Sequence, residues 1–444
     1  MDLKYRDWLA HWAEARPPPW HSPLSWWMLA YHIPIFLQAL LTHPALATHD
    51  NRLRWWRLAL LPINLRLSFG IINDFCFTPI TRRGCFNLSL ACWGLHLAGR
   101  SLEWALFSNQ PTNDAYQIQP QFLKSKQSQS ASRSPSQFDL CKDIIAGSLD
   151  RFFSLRGLKY GWGRKLAEKE RSLCYTVKLV VISHYVQMIA LVGCILFRDH
   201  GSALNAWMAI GLPNFPGALI LAEGLASLAF GFLIIAGMEL SAGYLALLSH
   251  FITWVSQSVS LPFWFVSFWD PKLFIPLFHI PHQPPSLAWF WGKGWHQLFR
   301  RGYLICGALP ASRAAAKLGF GLKAQRILGL FGSFLVSGIQ HEIAIRFVAR
   351  PTHPSPHVHF ISYPGSLVFF LIQPIGILLE PYIIPLIPHS LGGAWTWTII
   401  FILWTCIPFR DQYMLNYRVI DYLYPPLERW HKIGFAIPYK IMEW

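Results

Sequence analysis

The sequence predicts an all-α fold, a polytopic transmembrane helical bundle of about nine spans with re-entrant and interfacial segments between some of them. Three observations predict it. Charged residues are only 14% of the 444 and hydrophobic residues 53%, where a soluble domain carries about a quarter charged residues. Mean hydropathy is +0.31, and the apolar residues gather in runs long enough to cross a bilayer. Finally, 22 Trp and 32 Phe suit aromatic belts, while 32 Pro suit broken or kinked helices.

The formal net charge is +16, and the cations fall in connectors between apolar runs. That placement reads as topology determinants and as contacts with anionic headgroups or a phosphate-bearing substrate. No nucleic-acid-binding module is present, so nucleic acid is not an expected partner. The 8 Cys are scattered without a CxxC pair, which indicates neither a disulfide framework nor a zinc site. Several lie in apolar runs, where a thiol behaves as a small hydrophobe. The sequence carries no signal of oligomeric state.

Residues 1–22 form an interfacial N-terminal segment ending in Arg16-Pro17-Pro18-Pro19. Its polar length argues for a retained first span over a cleaved signal peptide. Residues 23–107 hold the N-terminal transmembrane helices. The first runs from Trp26 to about Thr42. A weaker one, from Trp56 to Phe77, is interrupted by Asn64, Arg66, Asn73 and Asp74. The third, Cys85 to Phe107, carries His96, Arg100 and Glu103, the last two sharing a helix face as an internal ion pair. Residues 108–172 are a polar basic loop. Its low-complexity part, Lys124–Gln137, is expected to be disordered.

Residues 173–444 make the remaining membrane region. Leu173 to Phe197 is one span. Pro216 to Val255 is too long for one crossing and suits two, with a turn near Gly237–Gly243; the alternative is one long tilted helix continued by a re-entrant piece. Val259 to Pro285 holds six prolines and reads as re-entrant and interfacial. Leu328 to Val348, Ser366 to Pro388 (kinked by Pro374 and Pro381) and Gly393 to Pro408 follow. The tail from Arg410 to Trp444 is amphipathic and expected on one surface. No internal repeat of the kind found in many transporters is present.

Chemistry concentrates between Ser286 and Glu342. No Asp or Glu lies between Asp270 and Glu342, whereas seven Lys and Arg fall from Lys293 to Arg326. The connector Arg300–Arg326 therefore belongs at the cytosolic face. With helix entry near Gln325, His341 lies roughly 24 Å along the helix axis, past the midplane of a core about 30 Å thick. An imidazole at that depth needs a water-filled cavity or a protein partner. The bland alternative is a core histidine bonded to a backbone carbonyl one turn away. Ser337-Gly338 one turn earlier leaves room for close approach, and Glu342 with Arg346 offers an ion pair.

Upstream, SLAWFWGKGWHQLFRR can be an aromatic belt with Arg300 and Arg301 snorkelling to headgroups. Gly292 and Gly294 around Lys293 suit instead a backbone held close to a ligand. His353, His357 and His359 lack a fourth ligand and read as surface imidazoles, so no metal is expected. Asn87-Leu88-Ser89 is a glycosylation sequon, but its apolar run argues against modification.

Residues 286–301 resemble the FWGRRWHQ-type segment of the wax-synthase-like branch of membrane-bound O-acyltransferases. Ser333–Glu342, SFLVSGIQHE, resembles that family's F-x-x-S-G-x-x-H helix, in the same order and at a similar separation. The resemblance covers the C-terminal region and reaches the N-terminal half only in hydropathy. It implies an acyl-CoA-dependent O-acyltransferase with an internal reaction chamber, working at the endoplasmic reticulum, with 173–444 as its catalytic region. It assigns His341 as the active-site histidine and His296 as the second polar position. Substrate or CoA contacts fall to Trp291, Trp295, Gln297 and Ser337, with Lys293, Arg300 and Arg301 as cationic partners of CoA phosphates. Gly294 departs from the branch, where a cation is common, and leaves Lys293 as the neighbouring charge. No permanent cofactor is implied; acyl-CoA is the co-substrate.

Wax-synthase-like proteins include enzymes of long-chain fatty alcohols and fungal enzymes that acetylate terpenoid or polyketide alcohols. The basic, Ser-rich linker and the prolines lean towards the second, with acetyl-CoA as donor and a lipophilic alcohol as acceptor. A transporter is the rival from another class, using Arg66, Asp74, Arg100, Glu103, Glu223, Glu239, His250 and Glu380 as a relay. A prenyltransferase would need clustered carboxylates, and Asp74 has no second Asp nearby.

Overall fold

A computed structural model describes residues 22–23, 25–43, 45–46, 51–77, 84–107, 137–158, 160, 172–261, 263–279, 283–348 and 364–420. The low-complexity residues 124–136 and the histidine loop 353–359 lie outside them, as do residues 1–21 and 421–444. Helices make nearly all the regular structure. The sheet among the described residues is a short parallel pairing of β1 (Ser22–Pro23) with β2 (Phe75–Cys76).

The N-terminal group comprises α1 (Trp26–Leu40), α2 (Asn51–Asp74), α3 (Gly84–Leu106) and α4 (Gln137–Phe153). They close around Ile35, Ile71, Leu97, Trp104 and Phe152. Polar residues in these apolar helices face one another, as a low-dielectric setting demands. Asn64 Nδ2 donates to Gln38 Oε1 at 2.8 Å, and Gln38 Nε2 donates to the Arg57 carbonyl at 2.9 Å. Arg100 and Glu103 form the expected internal ion pair, at 2.5 Å. Helix α4 stands where a polar loop was expected. Its Arg151 reaches the end of α1, donating to the carbonyl and hydroxyl of Thr42 at 2.6 Å each.

The C-terminal group begins with α5 (Leu173–His200), α6 (Ala203–Ala209) and α7 (Ala218–Ser258). Ser172 caps α5 by accepting from the Tyr175 N–H, and Gly201 ends it at φ 70°, a conformation costly for other residues. The run from Pro216 to Val255 falls, from Ala218 on, within one 41-residue helix, Ala218–Ser258, and not two crossings. At 1.5 Å per residue it is about 60 Å long, far beyond a core about 30 Å thick. Gly243, read as part of a turn, is a packing residue: a side-chain carbon there would lie 2.5 Å from Val180 on α5.

Next come α8 (Phe263–Phe268), α9 (Leu287–Trp289), a π turn (Phe290–Gly294), α10 (Arg300–Tyr303), a second π turn (Leu304–Ala308) and α11 (Leu309–Lys317). Gly319, at φ 78°, turns the chain into α12 (Leu322–Val348). The connector expected at Arg300–Arg326 is thus largely helical, and it lies flat against α12. Backbone meets backbone there: a side chain at Gly307 would collide with the Gly332 carbonyl, and one at Gly332 would lie 2.5 Å from the Gly307 carbonyl. Small residues give membrane helices this close contact. Then follow α13 (Gly365–Ile383), α14 (Ala394–Thr405), α15 (Ile407–Asp411) and a third π turn (Gln412–Asn416).

Among the described residues, four helical segments are long and apolar enough to cross a membrane: Leu173–His200, Ala218–Ser258, Leu322–Val348 and Gly365–Leu386. The expectation of nine is not met by this measure. Helix α1 has 15 residues and α14 has 12, whereas α2 carries charges along its length and α3 is interrupted by Asn87, His96, Arg100 and Glu103. The described start of the tail, residues 410–420, also departs from expectation. Arg410, Gln412, Tyr413 and Met414 are buried, not surface-bound. Arg410 enters the core because it is paired on several sides, with Glu223 at 2.6 Å and Asp411 at 2.7 Å, and it lies over the Phe197 ring.

The main core joins α5, α7, α12, α13 and α15 through Leu191, Phe230, Ile345, Phe370 and Phe409. Ile72, Ala91 and Ala344 connect it to the N-terminal group. Helix α12 sits at this junction, flanked by α3, α11 and α13.

Candidate active site

Helix α12 carries His341 at the meeting point of the cores. The ring packs on Phe370, centroids 4.5 Å apart, and edge-on to Phe409. Its Nδ1 lies 2.8 Å from the Ser337 carbonyl one turn earlier. A carbonyl oxygen only accepts, so this bond assigns the proton to Nδ1 and leaves Nε2 with its lone pair. The bland expectation of a backbone-bonded histidine is therefore correct as geometry. It also produces the tautomer a base needs, and Nε2 has no partner among the described residues.

Behind His341, Glu342 is buried. Its Oε1 accepts from Arg346, in the expected ion pair at 2.6 Å, and from Gln412 Nε2 at 2.7 Å. Gln412 Oε1 in turn accepts from the N–H and hydroxyl of Ser366. This network pins α12 to α13 and to the third π turn. Gly338 serves the same contact, since a side chain there would press on Leu367 of α13 at 3.0 Å.

The block bearing His296 is fixed from α13. Both carboxylate oxygens of Glu380 accept backbone N–H groups, Oε1 from Leu287 and Oε2 from Ala288. Ser286 adds a cap, accepting from the Trp289 N–H at 3.0 Å. These donors open a helical turn and have no carbonyl partner within it. The aromatics that follow turn inward: Phe290 is buried, and Trp291 packs against Phe334, Phe369 and Phe370. Trp291 Nε1 donates to Gln373 Oε1 at 3.0 Å. An interfacial belt would face lipid; these rings face protein.

Trp291 also touches Trp295, which touches His296, so aromatic contacts run from Phe370 beside His341 to the second histidine. Burial is the chief cause that lowers the His296 pKa, with the Arg156 guanidinium adding to it. Nδ1 of His296 is buried with no hydrogen-bond partner among the described residues.

The other expected residues divide. Gln297 closes the π turn, donating to the carbonyls of Trp291 at 3.2 Å and Trp295 at 2.9 Å. Ser337 is buried beside Tyr303. Lys293 and Arg300 are exposed. Arg301 is paired with Glu103 of α3 at 2.6 Å. Gly294 is buried because a side chain there would lie 2.7 Å from the Trp289 ring, which explains the missing cation. An apolar groove of about 700 Å³ follows Leu173, Val177 and Val181, on exposed parts of α5. Sequence reading missed Tyr303, Gln412 and Glu380 as builders of this region. Their partners are distant in sequence, and the one available signal was a polar residue inside an apolar run.

A helical membrane protein in which aromatic contacts link two buried histidines is the class these features define. Residues 274–372, which contain both, match the model of the membrane bound O-acyl transferase family. A 142-residue stretch is 27% identical to the acetyltransferase ple2 of Rhodocybe pseudopiperita, covering 31% of this chain and 34% of that one. A 250-residue stretch is 26% identical to the O-mevalon transferase yanI of Aspergillus niger, covering 53% and 52% respectively. The chain thus spans about a third of the first relative and about half of the second. No solved structure matches.

Proposed function

We propose that this chain is an acyl-CoA-dependent O-acyltransferase that moves an acetyl group from CoA to the hydroxyl of a lipophilic alcohol such as a terpenoid or polyketide. The observation that carries the reading is the His341 tautomer, set by the Ser337 carbonyl within the segment that matches the family. In this reading Nε2 takes the proton of the acceptor hydroxyl as its oxygen attacks the thioester carbonyl. The C–S bond then breaks, and the proton passes from His341 to the departing thiolate, giving the ester and free CoA. No covalent intermediate on the protein is required, since holding both substrates in one chamber supplies much of the rate. His296 faces the same chamber and donates to the developing oxyanion or to the leaving sulfur.

Lys293 and Arg300, exposed at the mouth of the block, meet CoA phosphates. Arg301, paired with Glu103, adds positive charge beside them. Trp291, Trp295, Gln297 and Ser337 shape the chamber between them. Residues 173–444 form the catalytic membrane region and 23–107 the helices that brace it, in the endoplasmic reticulum.

The transporter reading loses support because its relay residues, His250 apart, are separately engaged. Arg66 pairs with Asp74, Arg100 with Glu103, and Glu223 with Arg410, while Glu239 accepts from the Phe278 N–H and Glu380 caps α9. The two relatives' names point to different transferred groups, so the donor is tested by competition. Purified protein given acetyl-CoA and palmitoyl-CoA together with a terpenoid alcohol should yield chiefly the acetyl ester by product mass. A palmitoyl preference overturns the acetyl assignment.

A further inference from the structure

His296 rests against a wall outside its own block. Phe278 is buried and meets the His296 ring edge-on at 5.8 Å and the Trp295 ring at 4.9 Å. Nδ1 of His296 has no hydrogen-bond partner among the described residues, so packing, and not a bond to that nitrogen, orients the ring. The wall itself lacks regular structure: residues 274–279 form neither helix nor strand. Their backbone groups therefore need partners from elsewhere in the fold. Glu239 of α7, itself buried, accepts the Phe278 N–H at 2.8 Å, and the Gly294 carbonyl accepts the His279 N–H at 2.8 Å. Arg156 takes two successive carbonyls, its Nη1 donating to Ile275 at 2.8 Å and its Nη2 to Pro276 at 2.9 Å.

We propose that Arg156 is a positioning residue of the acyl transfer, its guanidinium fork holding Ile275–Phe278 as the wall that sets the place of His296. The inference rests on the reading of the chain as an O-acyltransferase in which His296 meets the reacting groups. Arg156 is itself held. It follows α4 directly, in a turn where Gly157 takes φ 59° and its carbonyl accepts the Tyr160 N–H at 2.8 Å. The Tyr160 hydroxyl donates back to Asp150 of α4 at 2.8 Å. A planar guanidinium presents two fixed donors to two carbonyls, whereas a lysine ammonium is a point charge on a flexible stem. Phe278 lies two residues past the clamped Pro276, so a slip of the segment passes to the imidazole. A misplacement of about 1 Å can cost about a hundredfold in rate. Arg156 lies outside residues 274–372, so chain beyond the family match fixes part of the site.

The test uses the full-length protein in detergent, followed by hydrogen exchange and by CoA release from acetyl-CoA with a terpenoid alcohol. In wild type the Phe278 and His279 amides should exchange slowly, although they lie outside any helix. Arg156→Lys should speed that exchange and lower kcat about tenfold, with the acetyl-CoA KM near wild type. Arg156→Gln should match it, since the fork is lost in both. In a His296→Phe background, Arg156→Lys should change kcat by less than about twofold, because residues acting through one another are not additive. Fast exchange in wild type, or unchanged exchange in a folded Arg156→Lys protein, refutes the clamp, and the wild-type result stands even where a variant does not fold. Wild-type kcat in Arg156→Lys or in His296→Phe refutes the positioning role, as does a tenfold loss that persists without His296. Absence of CoA release from wild type refutes the acyltransferase reading and the positioning role with it, while hydrogen exchange still judges the clamp.

Discussion

At His341 a single backbone carbonyl decides what the ring can do, because it fixes which nitrogen holds the proton. The histidine itself was legible in the sequence, as a lone titratable group inside an apolar run. The bond to Ser337 was legible too, since residues four apart on a helix are neighbours. His296 was legible only as a motif position, because Phe278, Phe299 and Arg156 reach it through the fold. Its native pKa falls from an ordinary 6.5 to about 3, chiefly through burial. The sign follows directly. Below about pH 6.5 the unfolded chain takes up a proton that native His296 refuses, so stability is lost as pH falls through that window. Moving from about pH 7.5 to about pH 5.5 should therefore lower the thermal midpoint, and His296→Phe should flatten the decline. An identical slope in the variant would show that His296 does not contribute.

Among the elements, α7 shows what composition cannot decide. Forty apolar residues read first as two crossings, with one long helix as the alternative, and α5, which packs along it and contacts Gly243, belongs with the second. Helix α9 was invisible for the opposite reason, being only three residues long and without any period to detect. Its start depends on Glu380, over ninety residues later. Glu380→Ala should cost about 1–2 kcal/mol of stability, as for the loss of a helix cap. Because the capped block carries Trp291 and His296, the acceptor KM should rise as well. Glu380→Gln, which keeps one acceptor oxygen, should fall between. A Glu380→Ala protein with wild-type stability would remove the capping role.

For the whole molecule, the membrane class was legible from charge content and hydropathy, but not how its two halves join. The link is apolar at Ile72, Ala91 and Ala344, and ionic at Glu103, which is shared by Arg100 and Arg301. Arg100 and Glu103 lie three apart and could be read as a pair. Arg301, 198 residues further along, could not. Glu103→Gln withdraws the buried carboxylate from both guanidiniums and should destabilise the protein by about 3–5 kcal/mol. Arg301→Gln should cost less, since Arg301 is 24% exposed and Arg100 only 4%. Thermal unfolding of both variants checks the order, and little loss in either would mean that the halves are held chiefly by apolar contact.

The central claim is that His341 is the base of an acyl transfer, and CoA release tests it most directly. Full-length protein in detergent, with acetyl-CoA and a terpenoid alcohol, should release CoA and form the ester. His341→Ala should lose at least about a hundredfold of that rate, the usual weight of a general base, while its thermal midpoint stays near wild type. A folded His341→Ala protein that keeps full turnover would contradict the account.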